Sequence, residues 1–279
     1  MKKLFDEVSL KSSEIVTRSY STSFSLAVRM LAPSIRGAIY GIYGFVRFAD
    51  EIVDTFHDYP KEQLLDEFTE DYYTALERGI SMNPILNSFI AVVKEYNIQD
   101  ELVRAFLKSM RMDLHKSEYN TQKEYEEYIY GSADVVGLMC LKVFVNGDEQ
   151  RYEALKDSAM RLGSAFQKVN FLRDLKNDVD VLDRTYFPGI DLKNLTPENK
   201  AKIIQEIEED FNEALKGIQQ LPLNAKFGVY TAYVYYRRLL TKLRNTPSEK
   251  IITTRVRVSN PMKLGLIARC YCQIKLNMI

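Results

Sequence analysis

The sequence predicts an all-α fold in a single domain spanning residues 1–279. Two kinds of observation carry the all-α reading. Apolar residues recur at spacings of three and four along most of the chain, and helix-start signals punctuate it. From Ile35 the run Ala38, Ile39, Ile42, Phe45, Val46, Ala49, Ile52 and Val53 marks a helix buried along one stripe. Further helices are expected at about 60–79, 84–97, 99–115, 121–145, 149–181, 197–219 and 223–245. Asn83-Pro84 and Thr196-Pro197 each pair a capping residue with a proline at the first helical position, where its missing N–H costs nothing. Only Ile251–Val258, IITTRVRV, is dominated by β-branched residues, and it reads equally as a short extended piece or as the start of a last helix. The 12 Gly and 8 Pro form no linker, and there is no internal repeat, so one domain is expected.

Composition removes several classes of function. With 46% hydrophobic and 27% charged residues the chain is globular rather than disordered. Its 38 basic and 38 acidic side chains cancel, which argues against bulk binding to nucleic acid. Cys140, Cys270 and Cys272 suit neither a disulfide framework nor a zinc site, and they fit a reducing compartment. The start, MKKLFDEVSLKSSE, lacks the apolar segment of a signal peptide, and no uncharged run approaches the ~20 residues that span a bilayer. A cytoplasmic protein is expected, with any membrane contact peripheral. The apolar stretch KLGLIARCYCQIKLNMI reads as core, with a membrane-facing patch as the alternative.

Two acidic helix faces stand out. Asp50 and Asp54 are four apart and share a face, with Arg47 one turn earlier, Tyr43 another turn before it, and Glu51 alongside. In QKVNFLRDLKND, Gln167, Asn170, Asp174 and Asp178 form one polar stripe on a helix whose other side carries Leu162, Phe166, Val169 and Leu172. By chance alone about five acidic i,i+4 pairs are expected from 38 acids, and most acidic pairs are solvated surface. These differ in their neighbourhood: acids that interrupt an apolar helix need a partner or a cation. Carboxylate and amide oxygens are ligands for a hard divalent cation, and Mg²⁺ commonly joins one or two carboxylates to substrate phosphates. A diphosphate brought to bare carboxylates is repelled by about 4 kcal/mol per unit pair at 4 Å. Arg47 and Arg173, beside the two clusters, suit direct neutralisation of a leaving group, or else ordinary intrahelical salt bridges.

These segments resemble the squalene and phytoene synthase family over nearly the whole chain. The pieces run in family order: YSTSFS at 20–25, YGFVRFADEIVD at 43–54, MRMDLHKSEY at 110–119, YIYGSADVVG at 128–137, QKVNFLRDLKND at 167–178 and RTYFPGIDL at 184–192, then YRRLL at 236–240 and RVRVS at 255–259. MDLHKSEY and RTYFPGIDL are more similar to bacterial phytoene synthases than to eukaryotic squalene synthases. The resemblance implies an isoprenoid-synthase helical bundle around a central cavity. It implies a prenyl transferase that condenses two allylic diphosphates head to head through a cyclopropylcarbinyl diphosphate, with Mg²⁺ (Mn²⁺ as a substitute) and, for phytoene, without NADPH. Carried over by position, it makes Asp50 and Asp54 the first metal-binding motif and Asn170, Asp174 and Asp178 the second. Ser21 and Ser23 become substrate-binding serines; Arg47, Arg173, Tyr236 and Arg255 contact diphosphate, with Tyr43 and Gln167 beside them; and Tyr128 is a cavity tyrosine.

Three positions depart from the family pattern. Tyr20 replaces a common His, Glu51 a common Asp, and Asp134 a common Gly, the last open to reading as a surface group, a water site or a base. Phe24 and Val28 face the cavity if their segment is helical, and Val28 leaves room for a long tail, which favours two geranylgeranyl diphosphates giving phytoene in carotenoid biosynthesis. The alternatives are a squalene, dehydrosqualene or hydroxysqualene synthase using farnesyl diphosphate, a terpene cyclase, and a catalytically silent assembly-factor-like relative. Nothing in the sequence identifies a protein partner or an oligomeric state.

Overall fold

The stripe beginning at Ile35 becomes the central helix of the molecule. The computed structural model describes residues 1–180, 186–192, 194–276 and 278–279, and of 177–180 the backbone alone. Every regular element among them is helical: α1 (Lys2–Tyr20), α2 (Thr22–Arg29), α3 (Pro33–Thr55), α4 (Lys61–Arg78), α5 (Pro84–Glu95), α6 (Asp100–His115), α7 (Gln122–Ile129), a π-helical turn (Tyr130–Asp134), α8 (Val135–Phe144), α9 (Glu149–Asp180), α10 (Pro197–Gln220), α11 (Leu223–Arg244), α12 (Ser248–Thr253) and α13 (Asn260–Lys275). α3 is buried by its apolar face, and Phe45 is its anchor, with ring centroids 4.0 Å from Phe89 of α5 and 5.4 Å from Phe68 of α4. Asn83 and Thr196 cap α5 and α10 as their sequence indicates, accepting from the backbone of Ile85 and Leu86 and of Asn199.

Three sequence expectations change. The single helix expected over 121–145 is interrupted by the π turn. There Gly131 packs so closely on α6 that an added Cβ would come within 2.8 Å of the Ala105 carbonyl. IITTRVRV is divided: its first three residues end α12 at Thr253, and 254–259 run without regular structure, extended at Thr254 and Ser259, into α13, so it is not the start of the last helix. The C-terminal stretch is not core. In α13 only Leu266 and Cys270 are buried, while Met262, Leu264 and Tyr271, and Leu276 and Met278 beyond them, are exposed.

A cavity of about 280 Å³ lies between α2, α3, the π turn with α8, α9, α10 and α11. Its wall on α9 extends from Leu155 to Asn170, some 22 Å at about 1.5 Å per residue. Small residues line that hollow, among them Gly137, Gly163, Gly217 and Gly228. Gly163 and Gly137 also let the π turn and α8 lie directly on α9, where an added Cβ would meet Ala133 O at 2.8 Å and Ala159 O at 2.9 Å.

Candidate active site

One end of the cavity is polar. Tyr43, Gln167, Asn170 and Tyr236 line it there, and the two acidic faces continue outward from them, Asp50 two turns beyond Tyr43 and Asp174 one turn beyond Asn170. The Tyr236 hydroxyl lies 3.3 Å from Asn170 Oδ1 and donates to it, its ring stacked 4.0 Å from Phe166. Tyr43 stacks on Phe24 at 4.7 Å and interacts with the Ser21 side chain. Burial pushes its hydroxyl up to about 12, with Arg47 opposing and Asp50 and Tyr236 adding to the rise. Tyr43 and Tyr236 thus join the two acidic faces into one electrostatic neighbourhood.

Each face carries its own counterions. Arg47 is clasped by Asp50 and Glu51, and its guanidinium lies 4.4 Å over the Tyr20 ring. Tyr20, where the family commonly has His, therefore packs the arginine. Arg47 Nε is buried without a partner among the described residues. Across the mouth Arg173 holds Asp174, with Nε 3.0 Å from Oδ1, and Arg255 reaches the same carboxylate, Nε to Oδ1 at 2.6 Å. Burial disfavours the Arg173 charge, but the pair with Asp174 outweighs it, so its pKa rises. Residues 81 positions apart meet here.

The remaining expected residues fall less uniformly. Asp54 is half-buried one turn beyond Asp50. Ser21 caps α2 by accepting from Phe24 N at 3.2 Å, whereas Ser23, in the first turn of α2, is not among the residues lining the cavity. Asp178 falls in the last turn of α9, where the backbone alone is described. Tyr128 is not among the residues lining the apolar cavity. Its hydroxyl donates to Asp113 at 2.9 Å, and its ring joins Tyr119, Phe171 and Tyr186, the last two stacked at 3.8 Å. A buried hydroxyl needs an acceptor, and Asp113, unassigned within the MRMDLHKSEY segment, supplies it.

Asp134 is half-buried and does not line the cavity. It accepts from Ser164 Oγ at 2.7 Å, and burial raises its carboxyl to about 7, the Ser164 bond and Lys168 opposing. Because the folded state holds this proton more tightly than the unfolded chain, the contribution to stability is full near pH 4 and is lost as pH rises toward 7. Asp134→Asn is accordingly expected to raise the melting temperature at pH 8 and to flatten the wild-type decline between about pH 4 and 7, a difference read by thermal melts across that range.

Among the described residues no group of three or more His, Cys, Asp or Glu side chains is assembled into a metal cage. The donors at the mouth are all oxygens, two carboxylates on α3 and an amide with a carboxylate on α9. That set fits a hard cation completed by substrate phosphates rather than a closed all-protein site.

The family model for squalene/phytoene synthase matches residues 17–261. The chain belongs to the squalene/phytoene synthase family. It is a prenyl transferase of the phytoene synthase type. It is 29% identical over 278 residues to phytoene synthase 2, chloroplastic, of Solanum lycopersicum, covering 92% of this chain and 88% of that one. It is 28% identical to 15-cis-phytoene synthase of Synechocystis sp., covering 89% of this chain and 80% of that one. The fold is also that of a dehydrosqualene synthase crystallised with a ligand, with a TM-score of 0.83 at 21% identity over 97% of this chain and 98% of that one. The signals missed in the sequence are of one kind: Asp113 and the cavity glycines matter through contacts with other elements.

Proposed function

We propose that this protein joins two geranylgeranyl diphosphates head to head, through a cyclopropylcarbinyl diphosphate, to give phytoene, releasing two diphosphates and two protons, one of each in each half of the reaction. The observation that carries this reading is an apolar hollow, about 22 Å along α9, opening at the polar end where Arg47, Asp50, Arg173, Asp174 and Arg255 gather. Asp50, Asp54, Asn170 and Asp174 would hold Mg²⁺, which when bound supplies charge neutralisation to the diphosphate. The arginines already in place bind and orient the same group: Arg173 and Arg255 converge on one carboxylate, a geometry that also suits phosphate oxygens. The Tyr43 and Tyr236 rings border the zone where positive charge develops, and cation–π attraction suits them to stabilise it. The apolar wall keeps out the water that would capture a carbocation.

The choice of C20 over C15 substrate rests on the phytoene synthase relatives and on Val28. This residue lines the cavity one turn inward of Phe24 on α2, which is helical as that reading requires. Purified protein with geranylgeranyl diphosphate and Mg²⁺, without NADPH, is expected to yield a C40 hydrocarbon by mass analysis; a product from farnesyl diphosphate alone, or one that needs NADPH, contradicts the assignment. In a competition assay Val28→Phe is expected to shift usage toward farnesyl diphosphate by about tenfold, since a buried aromatic there removes space for the chain end. Unchanged preference removes Val28 from the length determinant.

A peripheral membrane contact is proposed with it. No helix among the described residues is long and apolar enough to cross a membrane. From Lys250 onward the chain carries six basic residues and no acidic one, and α13 exposes Leu264 (63%) and Tyr271 (52%) beside Arg269 and Lys275. Apolar side chains within a basic field suit an anionic bilayer, each surface cation contributing about 1 kcal/mol. Binding to phosphatidylglycerol vesicles, weakened by salt and by Leu264→Glu with Tyr271→Glu, is the expected result. Binding that the double variant leaves intact removes α13 from the contact.

A further inference from the structure

Four hydroxyl groups line the cavity, and three have partners. Tyr43 interacts with Ser21, Tyr236 donates to Asn170 at 3.3 Å, and Ser158 Oγ donates to the Glu213 carbonyl at 3.2 Å. Ser132 is the exception: its Oγ is buried and has no hydrogen-bond partner among the described residues. An orphaned buried hydroxyl is disfavoured by a kcal/mol or more in most settings, so an apolar side chain would fit the wall better unless the hydroxyl serves a ligand. It stands in the π turn, a helical irregularity frequent at functional sites.

The depth of Ser132 follows from the glycine contacts. Gly163 lies on Ala133 and Gly137 on Ala159, so the two helices run antiparallel with Ser132 level with residue 164 of α9. Gln167 is then three residues nearer the mouth and Asn170 six, about 4.5 and 9 Å along the axis. Ser132 therefore sits inward of the diphosphate-binding end, beside the first carbons of a prenyl chain rather than beside the departing diphosphate. Its neighbours in the wall, Ala133, Val136 and Gly137, offer no other polar side chain.

We infer that Ser132 is a specificity-determining residue for the second half of the reaction. This rests on the proposed head-to-head condensation. In the first half, positive charge forms on the carbon leaving its diphosphate, at the mouth. When the cyclopropylcarbinyl diphosphate ionises and rearranges, the charge moves into the chain, to the depth of Ser132. The hydroxyl oxygen dipole stabilises that relocated cation and favours its progress to hydrocarbon; the proton is lost to the released diphosphate, not to the serine. A fixed dipole acts strongly in a dry site because little screens it.

The test compares two variants of equal shape, Ser132→Thr and Ser132→Val, with wild type in the full-length protein. Cyclopropylcarbinyl diphosphate and C40 hydrocarbon are quantified together from geranylgeranyl diphosphate and Mg²⁺. Ser132→Thr is expected to keep the wild-type ratio. Ser132→Val is expected to raise the intermediate relative to hydrocarbon by about tenfold, the loss of one favourable polar contact to charge. Consumption of the first substrate stays within about twofold, and the melting temperature is not lowered, since an unpartnered group has gone. Should Thr and Val give the same ratio, volume alone matters and the inference is overturned. A Val variant that loses both half-reactions equally also overturns it. A wild type that makes neither C40 compound refutes the proposed condensation itself, and this inference with it. Ser132→Ala, smaller than either, supplies the same comparison if Val does not fold.

Discussion

Asp174→Asn is expected to lower turnover of geranylgeranyl diphosphate by about a hundredfold or more while leaving the helical fold intact. Asp174 is held by Arg173 and by Arg255, so the carboxylate organises two cations at the mouth as well as offering oxygens to a metal. Asparagine keeps the shape and one oxygen but removes the charge, so both arginines stay nearby while the electrostatic match to a metal-bound diphosphate is lost. Steady-state assay together with a circular-dichroism melt checks this. Activity within tenfold of wild type would remove Asp174 from the chemistry. Asp50→Asn, on the opposite face and paired with Arg47, is expected to behave alike.

The largest stability effect is expected away from the mouth. Lys168, on the buried side of α9, lies 2.7 Å from Asp210 Oδ2 and 2.5 Å from Glu206 Oε1, and Arg161 reaches Asp210 at 2.9 Å. The side chains of Lys168 and Asp210 are only 7% and 1% exposed. Removing one member of such a pair leaves a buried charge poorly compensated, a loss of about 3–5 kcal/mol. Glu206 still holds Lys168, so Asp210→Ala is expected at the low end, about 3 kcal/mol, or a fall in melting temperature of roughly 6–12 °C. Below the new transition the enzyme should turn over nearly normally, because no member of this network lines the cavity. A variant that melts like wild type would mean the network contributes nothing net. This network clamps α9 to α10, fixing the helix that carries Gln167, Asn170 and Asp174.

What the sequence made legible follows from what apolar spacing reports. Helices that bury aliphatic stripes, such as α3, α5 and α10, were readable in position, and α5 and α10 in their caps as well. α1 was not, because its buried face is Ser9, Ser13 and Thr17 rather than a run of apolar residues. Those small polar groups let it lie close on α3 and α5: Ser13 Oγ is 2.6 Å from Ser88 Oγ, and a Cβ added at Gly44 would meet Ser13 Oγ at 2.8 Å. Hydropathy cannot signal a seam whose hydrogen bonds are satisfied by residues 75 positions away. The two acidic faces were visible because helical geometry alone aligns Asp50 with Asp54 and Asn170 with Asp174. Their closure into one mouth was not, since Tyr43, Tyr236 and Arg255 arrive from separate elements. The hydrogen bond from Tyr128 to Asp113 was not legible either, since it joins two separate helices. The C-terminal helix marks a limit, for an apolar stretch reads the same whether it faces core or water.

The central claim is that α3 and α9 grip one diphosphate between their acidic faces, and a crystal structure with Mg²⁺ and a non-ionisable thio analogue of geranylgeranyl diphosphate tests it most directly. The expected density puts the diphosphate within reach of Arg47 and Asp50 on one side and of Arg173 and Asp174 on the other, with the prenyl chain running inward past Ser132 and Val28. A diphosphate bound elsewhere, or touching only one of the two helices, would contradict it.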